Sequence, residues 1–318
     1  MHKIYVVIPC YRVKNHILQV IEAIGSEVIK IIVVDDGCPE HSGQYVEKNC
    51  SDPRVKVIYN SKNLGVGGAM LNGYRESIAE GADVIVKIDG DGQMDPSLIM
   101  EFVNPILLGE ADYTKGNRFF NLDNILRMPK IRIFGNAVLS LLTKISSGYW
   151  DLFDPTNGYT AIHSHVAKKL PFDKISSSYF FETDILFRLG ILRAVVRDIP
   201  MDAFYGEEKS SLRIVKILPE FLNKHFLNFM KRIFYNYYLR DVSLASIELP
   251  IGLFLFAFGV IFGSISWFTS TLERLPTSAG TVMLSALPTL MGAQLVLAFF
   301  AYDISSVPRV PRQKTLTK

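Results

Sequence analysis

The sequence predicts an α/β domain with a mainly parallel sheet, followed by amphipathic interfacial helices and two transmembrane helices. Short β-rich apolar runs alternate with helically spaced segments through the first half of the chain. Three polar clusters each fall directly after one of those runs. Two hydrophobic stretches, Leu244–Phe268 and Ala279–Tyr302, then appear near the C-terminus.

Ile4–Ile8 (IYVVI) and Ile31–Val34 (IIVV) have the unbroken apolar character of strands buried on both faces, and Val55–Tyr59 and Val84–Ile88 read the same way. Ile17–Ile24 and Met70–Ala79 between them carry helical spacing. Asp95-Pro96 marks a helix start, with Asp as N-cap and Pro at the first helical position, and the helix should reach Leu107. A helix near Ile131–Ile145, a strand near Tyr159–His163 and a helix at Glu182–Leu192 follow. Arg213 to Arg240 reads as one or two amphipathic helices, with Ile214, Leu218, Phe221, Leu222, Phe229, Ile233 and Tyr237 on the apolar face. Rich in Phe, Tyr and Lys, this segment suits a membrane interface.

Each hydrophobic stretch is about 24 residues, enough to cross a hydrocarbon core of roughly 30 Å. Pro250 near the start of the first and Pro288 in the second are tolerable in spanning helices. Gly252, Gly259 and Gly263 would permit close helix contact, including pairing between copies in a homo-oligomer. Formal net charge is +3 over 318 residues. Residues 1–208 sum to about −4, residues 209–241 to about +5 and the tail from Arg309 to about +4. Positive charge thus brackets the hydrophobic stretches, which fits anionic lipid at a cytoplasmic face and argues against a nucleic-acid domain. By the same asymmetry both termini and the first domain should be cytoplasmic. The expected divisions are 1–208, 209–241, 242–304 and a basic tail at 305–318. Cys10, Cys38 and Cys50 lack metal spacing and read as reduced thiols. No signal peptide is expected, since the first strand begins by Ile4.

Chemistry concentrates in Asp89-Gly90-Asp91-Gly92-Gln93. Two carboxylates separated by Gly at a strand end can face one hard cation, with the Gln93 carbonyl as a further oxygen; Mg²⁺ or Mn²⁺ suits such ligands and shares them with substrate phosphates. A solvated turn with Asp95 capping the next helix would use the same residues.

Four ordered motifs resemble the glycosyltransferase family 2 pattern over roughly residues 3–205. They are Val7-Ile8-Pro9-Cys10-Tyr11, Ile32-Val33-Val34-Asp35-Asp36-Gly37, Asn63-Leu64-Gly65-Val66-Gly67-Gly68-Ala69 and Lys87-Ile88-Asp89-Gly90-Asp91-Gly92-Gln93. The resemblance implies the GT-A nucleotide-diphospho-sugar transferase fold. It implies that Pro9 and Tyr11 border the nucleotide base, that Asp36 or Asp35 hydrogen-bonds it, and that Asp89 and Asp91 hold nucleotide and metal. Gly65, Gly67 and Gly68 look like a backbone approach to the nucleotide, although the start of a helix would also explain them. Where the family continues its Tyr with Asn and acidic residues, this chain has Arg12-Val13-Lys14-Asn15, a more basic lip.

Within the family the chain is similar to the polyprenyl-phosphate sugar transferases of the dolichol-phosphate-mannose-synthase group. That likeness gives Arg118, Arg132 and Lys209 to the donor and acceptor phosphates, with Ser210 beside Lys209 on the acceptor side. Asp154-Pro155-Thr156-Asn157-Gly158-Tyr159 resembles the segment set against sugar and acceptor, which gives Asn157 a contact but no acid–base role. Glu182-Thr183-Asp184 resembles the acidic pair that supplies a base in members using hydroxyl acceptors. A phosphate acceptor has a second pKa of roughly 6 and is already ionised, so here the pair would hold the sugar or a basic residue instead. The expected reaction is inverting transfer of a sugar from a nucleotide-diphosphate sugar to a polyprenyl phosphate in the inner-membrane bilayer. Two rivals stand beside it: transfer to a glycan or lipid hydroxyl with Asp184 as base, and a non-catalytic membrane scaffold.

Overall fold

In the computed structural model, residues 2–120, 130–202 and 214–316 are described. Lys209 and Ser210 fall outside them, as does the side chain of Arg132. The chain divides into two units: Met1–Phe229 with Pro308–Lys318, and Met230–Val307.

The first unit holds a seven-stranded sheet. Its strands are β1 (Ile4–Cys10), β2 (Val28–Asp35), β3 (Val55–Tyr59), β4 (Val84–Lys87), β5 (Tyr113–Asn117), β6 (Thr160–His163) and β7 (Val196–Pro200), in the order β3-β2-β1-β4-β6-β5-β7. Neighbours pair in parallel except β6, which runs antiparallel to both β4 and β5. The centre is apolar on both faces: Val6, Val7, Ile8, Ile31 to Val34 and Val84 to Val86 are fully buried. The helices are α1 (Ile17–Glu22), α2 (Ser42–Asn49), α3 (Gly65–Ala79), α4 (Ile99–Leu107), α5 (Lys130–Ser147), α6 (Ser164–Ala167) and α7 (Phe181–Leu192). Asp95 caps the turn before α4 by accepting from the Ser97 amide at 2.9 Å. β5 and β7 have no unbroken apolar run. Their buried polar groups find partners instead, as where the Thr114 hydroxyl donates to the Phe102 carbonyl at 2.8 Å.

Helix α8 (Ile214–Phe234) begins in the first unit. Phe221 meets Phe180 edge-on at 5.3 Å, His225 Nδ1 lies 2.9 Å from Ser146 Oγ, and Asn228 Nδ2 donates to Asp184 at 3.3 Å. These contacts hold the first part of α8 against the first unit. The basic tail also joins the first unit. Amides of Arg312 and Gln313 donate to the buried Asp112 carboxylate at 2.7 and 2.8 Å, and Gln313 Nε2 reaches the carbonyls of Ile106 and Ala111 at 2.9 and 2.6 Å.

The second unit holds α9 (Leu244–Glu273) and α10 (Ala279–Ser305), both long and apolar enough to cross a membrane. Only 22% and 11% of their most apolar windows are buried, unlike core helices of a water-soluble globule. Small residues serve contact within the pair: a Cβ at Gly252 would lie 3.1 Å from the Gly292 carbonyl, and one at Gly259 2.6 Å from the Ser285 carbonyl. Gly263 likewise abuts the Ser285 side chain. Arg232 donates to Asp303 through both Nη atoms at 2.6 and 2.9 Å, and Tyr237 adds a 2.5 Å hydroxyl bond. A buried charge needs such partners.

Candidate active site

Because β1, β2, β4 and β5 run in one direction, their carboxyl ends share one edge of the sheet. The loop from β4 carries Asp89 and Asp91. Asp91 Oδ1 accepts from the Gln93 amide at 3.0 Å, and Gly92 at φ +78° turns the chain. Asp89 Oδ1 accepts from Lys87 Nζ at 2.8 Å, with its side chain 30% exposed. Among the described residues no cluster of three or more His, Cys, Asp or Glu could hold an ion unaided. Two oxygen-donor carboxylates at a partly open strand end fit a hard divalent cation that takes its other ligands from a diphosphate and water.

Lys87 ends β4 fully buried beneath this loop. It donates to Asp89 and to the Gly158 carbonyl at 3.0 Å, and Glu182 Oε1 lies 3.6 Å away. Burial pulls its pKa down, but Asp89 and Glu182 outweigh burial and the net shift is upward. Lys115 on β5 is equally buried and donates to the Asn157 carbonyl; burial lowers its pKa to about 8, against the opposing pull of Glu182 and Asp154. Arg118, just past β5, grips the fully buried Asp154 through Nε at 2.8 Å and Nη2 at 3.1 Å. This bidentate pair fixes the guanidinium plane at the edge. Asp198 joins the two loops beside it, accepting from Asn117 Nδ2 at 3.1 Å and the Phe153 amide at 2.9 Å. Burial raises its pKa to about 6, although the Phe153 bond opposes the rise.

The first two motifs stand at the same edge. Pro9 lies within β1 and Tyr11 just beyond it is 39% exposed. Arg12 adopts φ +58°, gives its amide to Cys38 Sγ at 3.1 Å and stacks over the Tyr11 ring at 5.5 Å. The basic lip is therefore exposed and ordered against aromatic faces, as is Lys14 over Tyr45. Asp35 and Asp36 point inward. Asp35 accepts from the amides of Cys38 and Gly43 at 2.8 and 2.7 Å, which secures the start of α2. Asp36 Oδ1 takes Asn60 Nδ2 at 2.7 Å and the Leu64 amide at 2.9 Å, which pins the loop before α3.

Other expected contacts are occupied by the protein itself. A Cβ at Gly65, which has φ +80°, would lie 2.7 Å from the Ser177 carbonyl, and one at Gly67 2.6 Å from that of Ser176. The close approach these glycines permit is thus to the loop before α7. The Asn157 side chain is buried, donating to Met201 Sδ at 3.1 Å and accepting from the Tyr159 amide at 2.9 Å. Asp184 is buried too, holding the Ser176 amide at 2.8 Å, Asn228 and, at 3.3 Å, Arg188. The backbone of Arg132 lies in the first turn of α5. Of the expected residues, the structure brings Asp89 and Glu182 together on Lys87, and joins Asp91 to Gln93 within the loop after β4.

The Glycosyl transferase family 2 profile matches residues 5–170, more than half the chain. The protein belongs to glycosyltransferase family 2. Undecaprenyl-phosphate mannosyltransferase of Micrococcus luteus is 30% identical over 58% of this chain and 77% of its own length. The UDP-N-acetylglucosamine–dolichyl-phosphate N-acetylglucosaminyltransferase of Methanococcus voltae is 27% identical over 64% and 86%. Among solved structures, glucosyl-3-phosphoglycerate synthase of Mycobacterium tuberculosis with Mn²⁺, UDP-glucose and phosphoglyceric acid superposes with TM-score 0.53. It is 18% identical over 73% of this chain and 79% of that one, a likeness of fold. The family 2 glycosyltransferase described here therefore has the GT-A architecture and uses a nucleotide-sugar donor. Sequence reasoning passed over Lys87 and Lys115 in this glycosyltransferase. The signal was present as single lysines next to Val86 and Thr114, in short segments whose neighbours are buried.

Proposed function

We propose that the enzyme transfers a sugar from a nucleotide-diphosphate sugar to a polyprenyl phosphate, with inversion, at the cytoplasmic face of a membrane. The observation that carries the acceptor class is the sequestration of Asp184. The residue is 5% exposed and its carboxylate takes Ser176, Arg188 and Asn228, while Glu182 faces Lys87. A hydroxyl acceptor needs a base within hydrogen-bond reach, whereas a phosphate monoester arrives ionised. The names of the relatives in Micrococcus luteus and Methanococcus voltae support the same class of acceptor.

In this reading a phosphate oxygen of the lipid attacks the anomeric carbon as the bond from that carbon to the diphosphate oxygen breaks. The nucleoside diphosphate leaves from the opposite face. Asp89 and Asp91, with Gln93 beside them, would hold Mg²⁺ or Mn²⁺, which supplies charge neutralisation for the departing diphosphate. The rim of Pro9 and Tyr11 borders the base, and Glu182 lies on the sugar side. Arg118, locked on Asp154, presents a fixed positive edge to anionic groups. By the resemblance, Arg132 and Lys209 would take the remaining phosphate contacts, with Ser210 on the acceptor side. Positioning and charge supply most of the rate. Two crossings return a chain to the side it left, and the basic excess before and after them favours the cytoplasmic side.

Asp184→Asn tests the acceptor assignment. Loss of a general base costs about 10²–10⁴-fold in rate, so the variant should keep activity per folded protein within about tenfold of the parent. A loss at the scale of a missing base, in protein with an unchanged melting curve, would restore the hydroxyl-acceptor reading.

A further inference from the structure

A lysine ammonium has three donors, and around Lys87 three partners come from three separate elements. Asp89 of the loop after β4 stands at 2.8 Å, the Gly158 carbonyl before β6 at 3.0 Å and Glu182 in the first turn of α7 at 3.6 Å. The Lys87 side chain is 1% exposed, so water does not reach the ammonium. Each carboxylate meets the ammonium through one oxygen, Asp89 Oδ1 and Glu182 Oε1. The side chains of Asp89 and Glu182 remain 30% and 14% exposed. A Cβ at Gly158 would lie 2.5 Å from Lys87 Nζ and 2.9 Å from Asp89 Oδ2, so the ammonium occupies the space a side chain would need.

We infer that Lys87 is a positioning residue that makes the metal loop and the first turn of α7 one electrostatic unit. Its ammonium holds Asp89 and Glu182 in fixed orientation from below, and leaves the second oxygen of each for ligands above. Asp89 then faces the donor's metal–diphosphate group and Glu182 a hydroxyl of the transferred sugar. Without the cation, two carboxylates repel each other in a poorly solvated site, and donor binding suffers before acceptor binding does. The inference rests on the proposed donor site at Asp89 and Asp91.

The test uses full-length enzyme in lipid, with Mn²⁺, a nucleotide sugar and polyprenyl phosphate. Lys87→Met should raise donor KM at least about tenfold, the worth of a charge-assisted hydrogen bond, and change acceptor KM less than about twofold. In the double variant Lys87→Met/Glu182→Gln the donor KM should rise by less than the product of the two single effects, because the repulsion between the Asp89 and Glu182 carboxylates is gone. Lys87→Arg keeps the charge and should recover part of the loss. Equal changes in both KM values, or multiplicative single effects, would overturn the inference. If Lys87→Met does not fold, Gly158→Ala decides, since it displaces the ammonium without removing a charge: donor KM must rise alone. Asp91→Asn separates the two claims. Full activity in that variant defeats the donor-site reading, whereas its inactivity beside a wild-type-like Lys87→Met defeats only the role of Lys87.

Discussion

Asp91 accepts from the Gln93 amide within its own turn, and Asp89 is tied to a buried cation. Asp91→Asn removes negative charge without volume. It should reduce turnover by about 10²-fold or more, as removal of an electrostatic group at a reacting centre does. The melting temperature should stay near that of the parent; glycolipid formation at the parent rate would contradict the metal–diphosphate assignment. Side-chain direction is where the sequence was least legible. The Asp35-Asp36 pair and Asn157 stand in the expected motifs, yet each satisfies backbone or side-chain donors inside the domain. Motif position specifies the loop; the orphan donors nearby decide where a short carboxylate or amide turns.

At the scale of elements, strands β1 to β4 were readable because continuous apolar runs leave few alternatives. β5 (Tyr-Thr-Lys-Gly-Asn) and β7 (Val-Arg-Asp-Ile-Pro) were not, since their inward polar groups depend on partners far along the chain. The antiparallel direction of β6 was equally hidden, because four residues carry no directional signal. Helix α3 begins at Gly65, five residues before the expected Met70, as the glycines admit the 176–178 loop. The junction of α5 and α8 carries a pH dependence. Burial holds the His225 imidazole down at about 4, against roughly 6.5 in an unfolded chain. Between those values the unfolded state binds more protons, so stability falls as pH drops from about 6.5 toward 4. Asp198 acts with opposite sign: its pKa is raised to about 6, so the folded state binds more protons below that pH and gains stability. A His225→Asn variant should lose part of the parent's fall in melting temperature between about pH 7 and about pH 5. An unchanged slope would remove His225 from the account.

For the whole molecule, two units are joined through the chain at 229/230 and again at 307/308. The C-terminal segment is integral to the first unit, where Arg312 and Gln313 complete the hydrogen bonding of buried Asp112. Gln313→Ala leaves the Ile106 and Ala111 carbonyls without that side chain and should cost about 1–3 kcal/mol, read as a lower unfolding midpoint. A midpoint equal to the parent's would mean that the tail is dispensable to the fold. The hydrophobic pair was legible from length and composition, while the docking of the tail was not, because a short basic stretch reads as solvated until its partners are known. The proposed reaction needs a water-soluble donor and a lipid acceptor. The most direct measurement is mass spectrometry of the products formed by full-length enzyme in liposomes holding polyprenyl phosphate, supplied with Mn²⁺ and a panel of nucleotide sugars. One donor should yield a sugar-phosphoryl-polyprenol that disappears with Asp91→Asn; sugar found on hydroxyl acceptors and never on polyprenyl phosphate would contradict the account.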